Sequence, residues 1–170
     1  KSPVLSTAKF LNLALGEHKL TELKVERFEL SYDPQTGLEQ AIIDLCDRVE
    51  QAVNDGCIVV HLSDRSQVTE QPFIPAVFAT GAVHHRLIAK GLRSDANILV
   101  ETGTARDPHH FAVLLGFGAT AIYPWLAYQV IRDMLATTPD TSESEVIQAY
   151  KSYRKGIDKG ILKILSKMGI

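Results

Sequence analysis

A chain of 170 residues with a hydrophobic fraction of 45% and a charged fraction of 22% is the size of one domain and long enough to bury a sizeable core. A formal net charge of −2 sets up no global field toward nucleic acid or an anionic membrane. The two cysteines, Cys46 and Cys57, are too few for a disulfide scaffold and read as buried free thiols of a cytoplasmic protein.

No apolar run reaches the roughly 18 residues that a membrane-spanning helix needs. Lys1-Ser-Pro-Val-Leu-Ser6 lacks the apolar stretch of a signal peptide. Residues 1–23 read as a lead-in segment in which Ser6 caps a short helix over Ala8–Leu15. Lys24–Leu30 reads as a strand, and Asp33-Pro-Gln-Thr-Gly37 as a turn. Leu38, Ala41, Ile42, Leu45, Val49, Ala52 and Val53 fall at helical spacing, and Gly56 stops that helix. Cys57-Ile-Val-Val-His-Leu62 is an apolar, β-branched run, the mark of a strand buried on both faces.

The alternation continues. Helix is expected over Pro75–Lys90, ending at Gly91, and a buried strand over Asn97–Glu101. Asp107-Pro108 gives a third helix its N-cap and its first residue. A strand over Ala119–Tyr123 is closed by Pro124. The pattern of residues 24–135 predicts an α/β fold with a parallel sheet and right-handed crossovers. An open sheet and a partial (β/α) barrel both fit it.

A helix over Leu126–Leu135 completes this core, and a polar linker leads to a long C-terminal helix over 144–168. Its Val146, Tyr150, Tyr153, Ile157, Ile161, Leu165 and Met168 form an apolar stripe. Gly156 and Gly160 interrupt it at a cost of about 1 kcal/mol each against Ala, so a break or a close packing contact is expected there. Lys151, Lys155, Lys159, Lys163 and Lys167 recur every fourth residue. They read as a solvated face, with an acidic protein partner as the rival reading. The chain lacks an initiator Met and stops at Lys167-Met-Gly-Ile170. Both ends are expected to be cuts within a longer chain.

Polar residues collect where the strands end, the edge at which α/β folds bind ligands. Ser31 and Asp33 follow the first strand and Ser63, Asp64 and Arg65 the second; Glu101 and Thr102, with Arg106, Asp107 and His109 just beyond, follow the third. Ser63, Asp64, Arg65, Glu101, Arg106 and His109 are the candidate interface or tunnel-wall cluster. Pairing of Arg65 or Arg106 with Glu101 or Asp64, and helix capping by the acids, is the plainer reading. His84-His85 and His109-His110 are adjacent pairs, which put one ligand on each helix face and not two on the same one. Neither cysteine has a Cys-x-x-Cys partner, and no Gly-rich strand-to-helix turn or Gly-x-Ser-x-Gly elbow occurs. No complete catalytic, cofactor or metal set is therefore expected.

Three stretches taken in order are specific. The first is Ser63-Asp64-Arg65 with Ile74-Pro75 and Gly81-Ala-Val-His-His85. The second is Ile98-Leu-Val-Glu-Thr102, Ala105-Arg-Asp-Pro-His-His-Phe-Ala112, Leu114-Leu-Gly-Phe-Gly-Ala119 and Ala121-Ile-Tyr-Pro-Trp-Leu-Ala127. The third is Tyr153-Arg-Lys-Gly-Ile-Asp-Lys-Gly160 with Lys163-Ile-Leu-Ser-Lys-Met-Gly-Ile170. Over essentially the whole chain this set resembles the central domain of the glutamate synthase large subunit, in wording closest to the bacterial pyridine-nucleotide-dependent type. Arg86 stands where many members carry a third His.

The resemblance implies a scaffold. It would join a glutamine amidotransferase domain, with an N-terminal Cys nucleophile, to a (β/α) barrel that binds FMN and an iron–sulfur cluster. It would support ammonia channelling in the synthesis of glutamate from glutamine and 2-oxoglutarate. The family's catalytic Cys, flavin site and cluster cysteines all lie outside the matched region. NADPH would enter through a small partner subunit; neither nucleic acid nor membrane is implied. A half-barrel that binds a small molecule or a phosphate is the alternative.

Overall fold

The computed structural model describes residues 2–14, 23–66, 70–137 and 142–169. In chain order the elements are α1 (Thr7–Ala14), β1 (Val25–Glu29), α2 (Leu38–Asn54), β2 (Val59–Ser63), α3 (Ala76–Ala89), β3 (Asn97–Glu101), α4 (Pro108–Gly116), β4 (Ala121–Tyr123), α5 (Trp125–Ala136) and α6 (Glu143–Met168). Each matches an expected element to within a few residues.

Local chemistry sets the boundaries. Ser6 Oγ accepts from the Lys9 amide at 3.3 Å and starts α1. Asp107 accepts from the amides of His109 and His110, Pro108 opens α4, and His110 Nδ1 accepts in return from the Asp107 amide. The long helix begins one residue before the expected Ser144, because Ser142 and Glu145 cap each other reciprocally.

The four strands form one parallel sheet in the order β1-β2-β3-β4, not closed into a barrel. Consecutive strands are neighbours throughout, the order found around a (β/α) barrel. Period-2 alternation gives the sheet two faces. On the outer face Phe28, Val60, Leu62, Ile98, Val100 and Ile122 pack in one core with α2, α3 and α4. On the inner face Val59, Leu99 and Tyr123 pack with Phe10 of α1 and Tyr128 of α5. One edge of the sheet is closed by the chain's own start: the Leu5 amide donates to Ile122 O and the Ile122 amide to Pro3 O, both at 2.9 Å.

Helix α6 belongs to both layers. Tyr150 and Tyr153 pack in the inner-face core, and Ile157, Ile161 and Leu165 in the outer-face core. The helix is continuous through both glycines. Gly160 rests on Pro108 of α4, where a Cβ would overlap the proline ring, whereas nothing lies within 4 Å of a Cβ at Gly156. The expected apolar stripe stops short of Met168, which is 66% exposed: the last turn runs past the core that Leu165 still touches.

Candidate functional site

The sheet register builds the polar cluster. Along the inner face, one row runs Arg27, His61, Leu99, Ala121 and the next runs Glu29, Ser63, Glu101, Tyr123. The row before them, Val25, Val59 and Asn97, carries no charge. From Arg27 and His61 onward the face is polar, and in the last row three strands place charged or hydrogen-bonding residues at the same height. Glu101 sits at the centre and is buried, as are His61 and Ser63.

One oxygen of Glu101 accepts from Ser63 Oγ at 2.7 Å and from His61 Nε2 at 3.1 Å, with Arg27 Nε 3.9 Å away. Its other oxygen faces the Arg65 guanidinium at 3.7 Å. Arg27 also pairs with Glu29 and donates to Ser63 Oγ and to the Arg65 carbonyl. Burial pushes the Glu101 carboxyl up, but hydrogen bonds from His61 and Ser63 and the charges of His61 and Arg27 together outweigh it and hold it below the ordinary glutamate value. Glu101 is therefore a carboxylate at neutral pH, and His61 Nε2 must carry the hydrogen it donates.

Asp64 anchors a second knot. Its carboxylate accepts from Thr102 Oγ1, from the Gly103 amide at 2.9 Å and from Trp125 Nε1 at 2.8 Å. It thereby fastens the end of β2 to the β3–α4 loop and to the first residue of α5. Arg65 lies over the Trp125 ring at 5.3 Å, a geometry that suits cation–π attraction.

Ser63 Oγ and His61 Nε2 both donate to the Glu101 carboxylate, so His61 does not stand as a base to Ser63. Four of the six sequence candidates, Ser63, Asp64, Arg65 and Glu101, come together. Arg106 and His109 do not: both are exposed at the start of α4. Arg106 uses its carbonyl to accept from Tyr153 Oη at 2.9 Å, and His109 lies 3.9 Å from Asp107. Sequence distance from β3 was short, but the β3–α4 loop turns them out over the outer layer. The pairing of Arg65 with Glu101 is found; that of Arg106 is not.

Arg27, His61 and Trp125 were missed. A usable signal existed for two of them. His61 interrupts an apolar run two residues before Ser63, and so shares its face. Arg27 precedes Glu29 in the same way. The other histidine pair is occupied too: His84 Nδ1 accepts from Arg93 Nε at 2.9 Å.

These residues do not suit FMN or an iron–sulfur cluster. A phosphate would meet the carboxylates of Glu29, Asp64 and Glu101 beside arginines already paired, and the start of α4 is filled by Asp107. Cys46 lies buried on α2 and Cys57 buried before β2, where burial raises both thiols above their ordinary value and disfavours the thiolate that a cluster needs. No described helix is long and apolar enough to cross a membrane.

Comparison with known proteins identifies the family. The family profile described as "Glutamate synthase central domain" matches residues 1–170. A ferredoxin-dependent glutamate synthase of Pyropia yezoensis is 39% identical over the whole chain, which covers 12% of that protein. The glutamate synthase [NADPH] large chain of Bacillus subtilis (strain 168) is 36% identical over 99% of the chain and 11% of its own length. The glutamate synthase [NADH] of Schizosaccharomyces pombe is 34% identical over 99% of the chain and 8% of its own length. The chain thus spans about a tenth of the length of the curated relatives it matches. It belongs to the glutamate synthase central-domain family.

Proposed function

We propose that this chain is the structural joint of a glutamate synthase large chain. It holds a glutamine amidotransferase domain and an FMN- and iron–sulfur-binding synthase domain in the register that ammonia transfer to 2-oxoglutarate requires. On this reading the parent is a cytoplasmic oxidoreductase that receives NADPH electrons through a small partner subunit, and this part of it carries no active site.

The observation that supports the reading is how the two ends of the domain are fastened together. Pro3 and Leu5 hydrogen-bond into the edge of β4. Ser2 Oγ donates to Asp158 of α6 at 2.7 Å. Tyr128 Oη donates to the Leu5 carbonyl at 2.7 Å, and burial holds that phenol well above its ordinary value, so the donor is kept protonated. Helix α6 in turn grips both layers of the sheet. On this reading a displacement imposed at one end is passed to the other through these hydrogen bonds and packed side chains. Small displacements of reacting groups cost on the order of 100-fold in rate, so such stiffness has a use between two catalytic domains.

The test is Ser2→Ala with Asp158→Ala in the full large chain, assayed for glutamine hydrolysis and for 2-oxoglutarate-dependent reductant oxidation. The joint reading expects hydrolysis to outrun glutamate formation. An unchanged ratio, with both rates equal to wild type or equally depressed, overturns it.

A further inference from the structure

Three backbone segments meet where β3 and β4 begin, at the end of the sheet opposite the Glu101 network. Arg93, in the loop between α3 and β3, uses its whole guanidinium there. Its Nε donates to His84 Nδ1 of α3 at 2.9 Å, one terminal nitrogen to the Ala96 carbonyl at 2.7 Å and the other to the Gly118 carbonyl at 2.9 Å. Gly118 lies in the left-handed region at φ 109°, and a Cβ there would overlap the His84 ring. The turn that carries Gly118 leads from α4 into β4. Beside it the Thr120 amide donates to the Ile98 carbonyl at 2.8 Å and the Ile98 amide to Thr120 Oγ1 at 3.2 Å. One arginine and one imidazole thus tie α3, the α3–β3 loop and the α4–β4 turn together.

The chemistry permits this tie in one protonation state. A guanidinium has donors and no acceptor, and it keeps its proton in proteins. His84 Nδ1 must therefore present a lone pair, with the ring hydrogen on Nε2. A protonated imidazole would turn an N–H toward an N–H and set two cations in contact. The charged or titratable groups that face His84 among the described residues are Arg93, from the loop, and His85 of α3, whose ring lies 5.4 Å away; the α4–β4 turn brings none. No carboxylate is there to offset a second positive charge. We propose that His84 and Arg93 form a proton-operated latch: neutral imidazole keeps the α4–β4 turn fastened to α3, and protonation releases it. The latch stands independently of the joint reading. Burial, then the charge of Arg93, then that of His85 hold the imidazole below its ordinary value. The advantage of the closed form is therefore fully present above the ordinary histidine value of about 6.5 and is lost as pH falls through the lower value of the closed latch. Phe117 packs over Gly81 at the same corner, so α4 itself stays docked and the opening is local.

The experiment follows hydrogen–deuterium exchange of the full large chain at about pH 8 and about pH 5, on either side of the ordinary histidine value, with labelling times scaled for the intrinsic pH dependence of exchange. Peptides holding residues 93–98 and 116–121 should lose protection at the lower pH, while those of α2 keep theirs. His84→Gln retains an acceptor and does not titrate, so its latch peptides should be equally protected at both pH values. If that variant fails to fold, Arg93→Gln takes its place: with the guanidinium gone, the same peptides should exchange fast at both pH values alike. His85→Gln leaves the Arg93 contact intact and should keep the wild-type response. Any of four results overturns the latch. These are equal protection of wild type at the two pH values, a loss shared equally by α2, a loss at low pH that persists in His84→Gln or Arg93→Gln, and a response abolished by His85→Gln.

Discussion

The two faces of one four-stranded sheet solve the burial problem differently. The outer face is apolar apart from Glu26 on the edge strand and is covered by α2, α3 and α4. The inner face keeps Val25, Val59, Leu99 and Tyr123 as its apolar positions, which pack with α1 and α5. Toward the strand ends it carries Arg27, Glu29, His61, Ser63 and Glu101. A hydrophobic face tolerates exchange of one apolar side chain for another because the transfer energy is non-directional. A buried polar network gains little over an apolar core but loses heavily when a single member is removed. The inner face therefore ought to specify one geometry strictly while adding little net stability.

That contrast is open to direct test on neighbouring positions of β2 and β3. Glu101→Leu keeps roughly the volume of the side chain and strands His61, Ser63 and two guanidinium groups. It should destabilise by about 3–5 kcal/mol, the cost of breaking a buried ionic network at one member. Leu62→Met, on the opposite face one residue from Ser63, should cost less than about 1.5 kcal/mol. Urea denaturation of the two variants measures both. Equal losses would mean the two faces are energetically alike, and the distinction drawn between them would fall.

The helix that joins the faces offers a sharper and smaller comparison. Gly156 and Gly160 sit one helical turn apart on α6 and look alike in sequence. Gly160 faces Pro108, so Gly160→Ala overpacks the α4–α6 contact, at about 1–3 kcal/mol. Gly156 has open space around it, and Gly156→Ala should stabilise by up to about 1 kcal/mol through helix propensity alone. Thermal unfolding reads the opposite signs. A Gly160→Ala protein as stable as wild type would show that α6 does not clamp the outer layer as tightly as its contact with α4 implies.

The same contrast explains which parts were legible in the sequence. Strands and helices were, because a strand buried on both faces leaves a short apolar run, as in Cys57–Leu62, and a helix buried on one face leaves a period of 3.6, as in Leu38–Val53. Caps were, because Asp107-Pro108 and Ser6 carry their own chemistry locally. The network was legible only in part. Ser63, Asp64, Arg65 and Glu101 are betrayed by lying just where apolar runs end. Trp125 reaches Asp64 across 61 residues, and no local pattern encodes that contact. Arg106 and His109 were misplaced because nearness to a strand end in sequence says nothing about the direction in which the following loop turns. A break or a close packing contact was expected at the two glycines; Gly160 makes a contact and Gly156 makes neither, since spacing alone does not say which of two glycines meets Pro108.

The smallest effect concerns pH, and it separates the inner face from the rest of the surface. Glu101 is held below its ordinary value in the folded state. The stability it contributes is therefore fully present above the unfolded glutamate value of about 4.3 and is lost as pH falls through the lower folded value. Glu50, Asp107 and Glu145 are also held low, the first by hydrogen bonds from Lys90 and Arg86, the last by its bonds with Ser142, and Asp107 by the amides of His110 and His109 against the pull of desolvation. They act in the same direction but lie at the surface. In about 1 M salt the screening length falls to about 3 Å, which weakens the charge attraction at those surface sites while leaving the buried Glu101 network largely intact. Urea midpoints measured between pH 3 and 7 at low and high salt, for wild type and Glu101→Gln, isolate the inner face. Wild type should keep an acid-side loss of stability in high salt, and Glu101→Gln should flatten it. If the slope at high salt is the same in both proteins, the carboxylate at the centre of the inner face is not what the folded state protects.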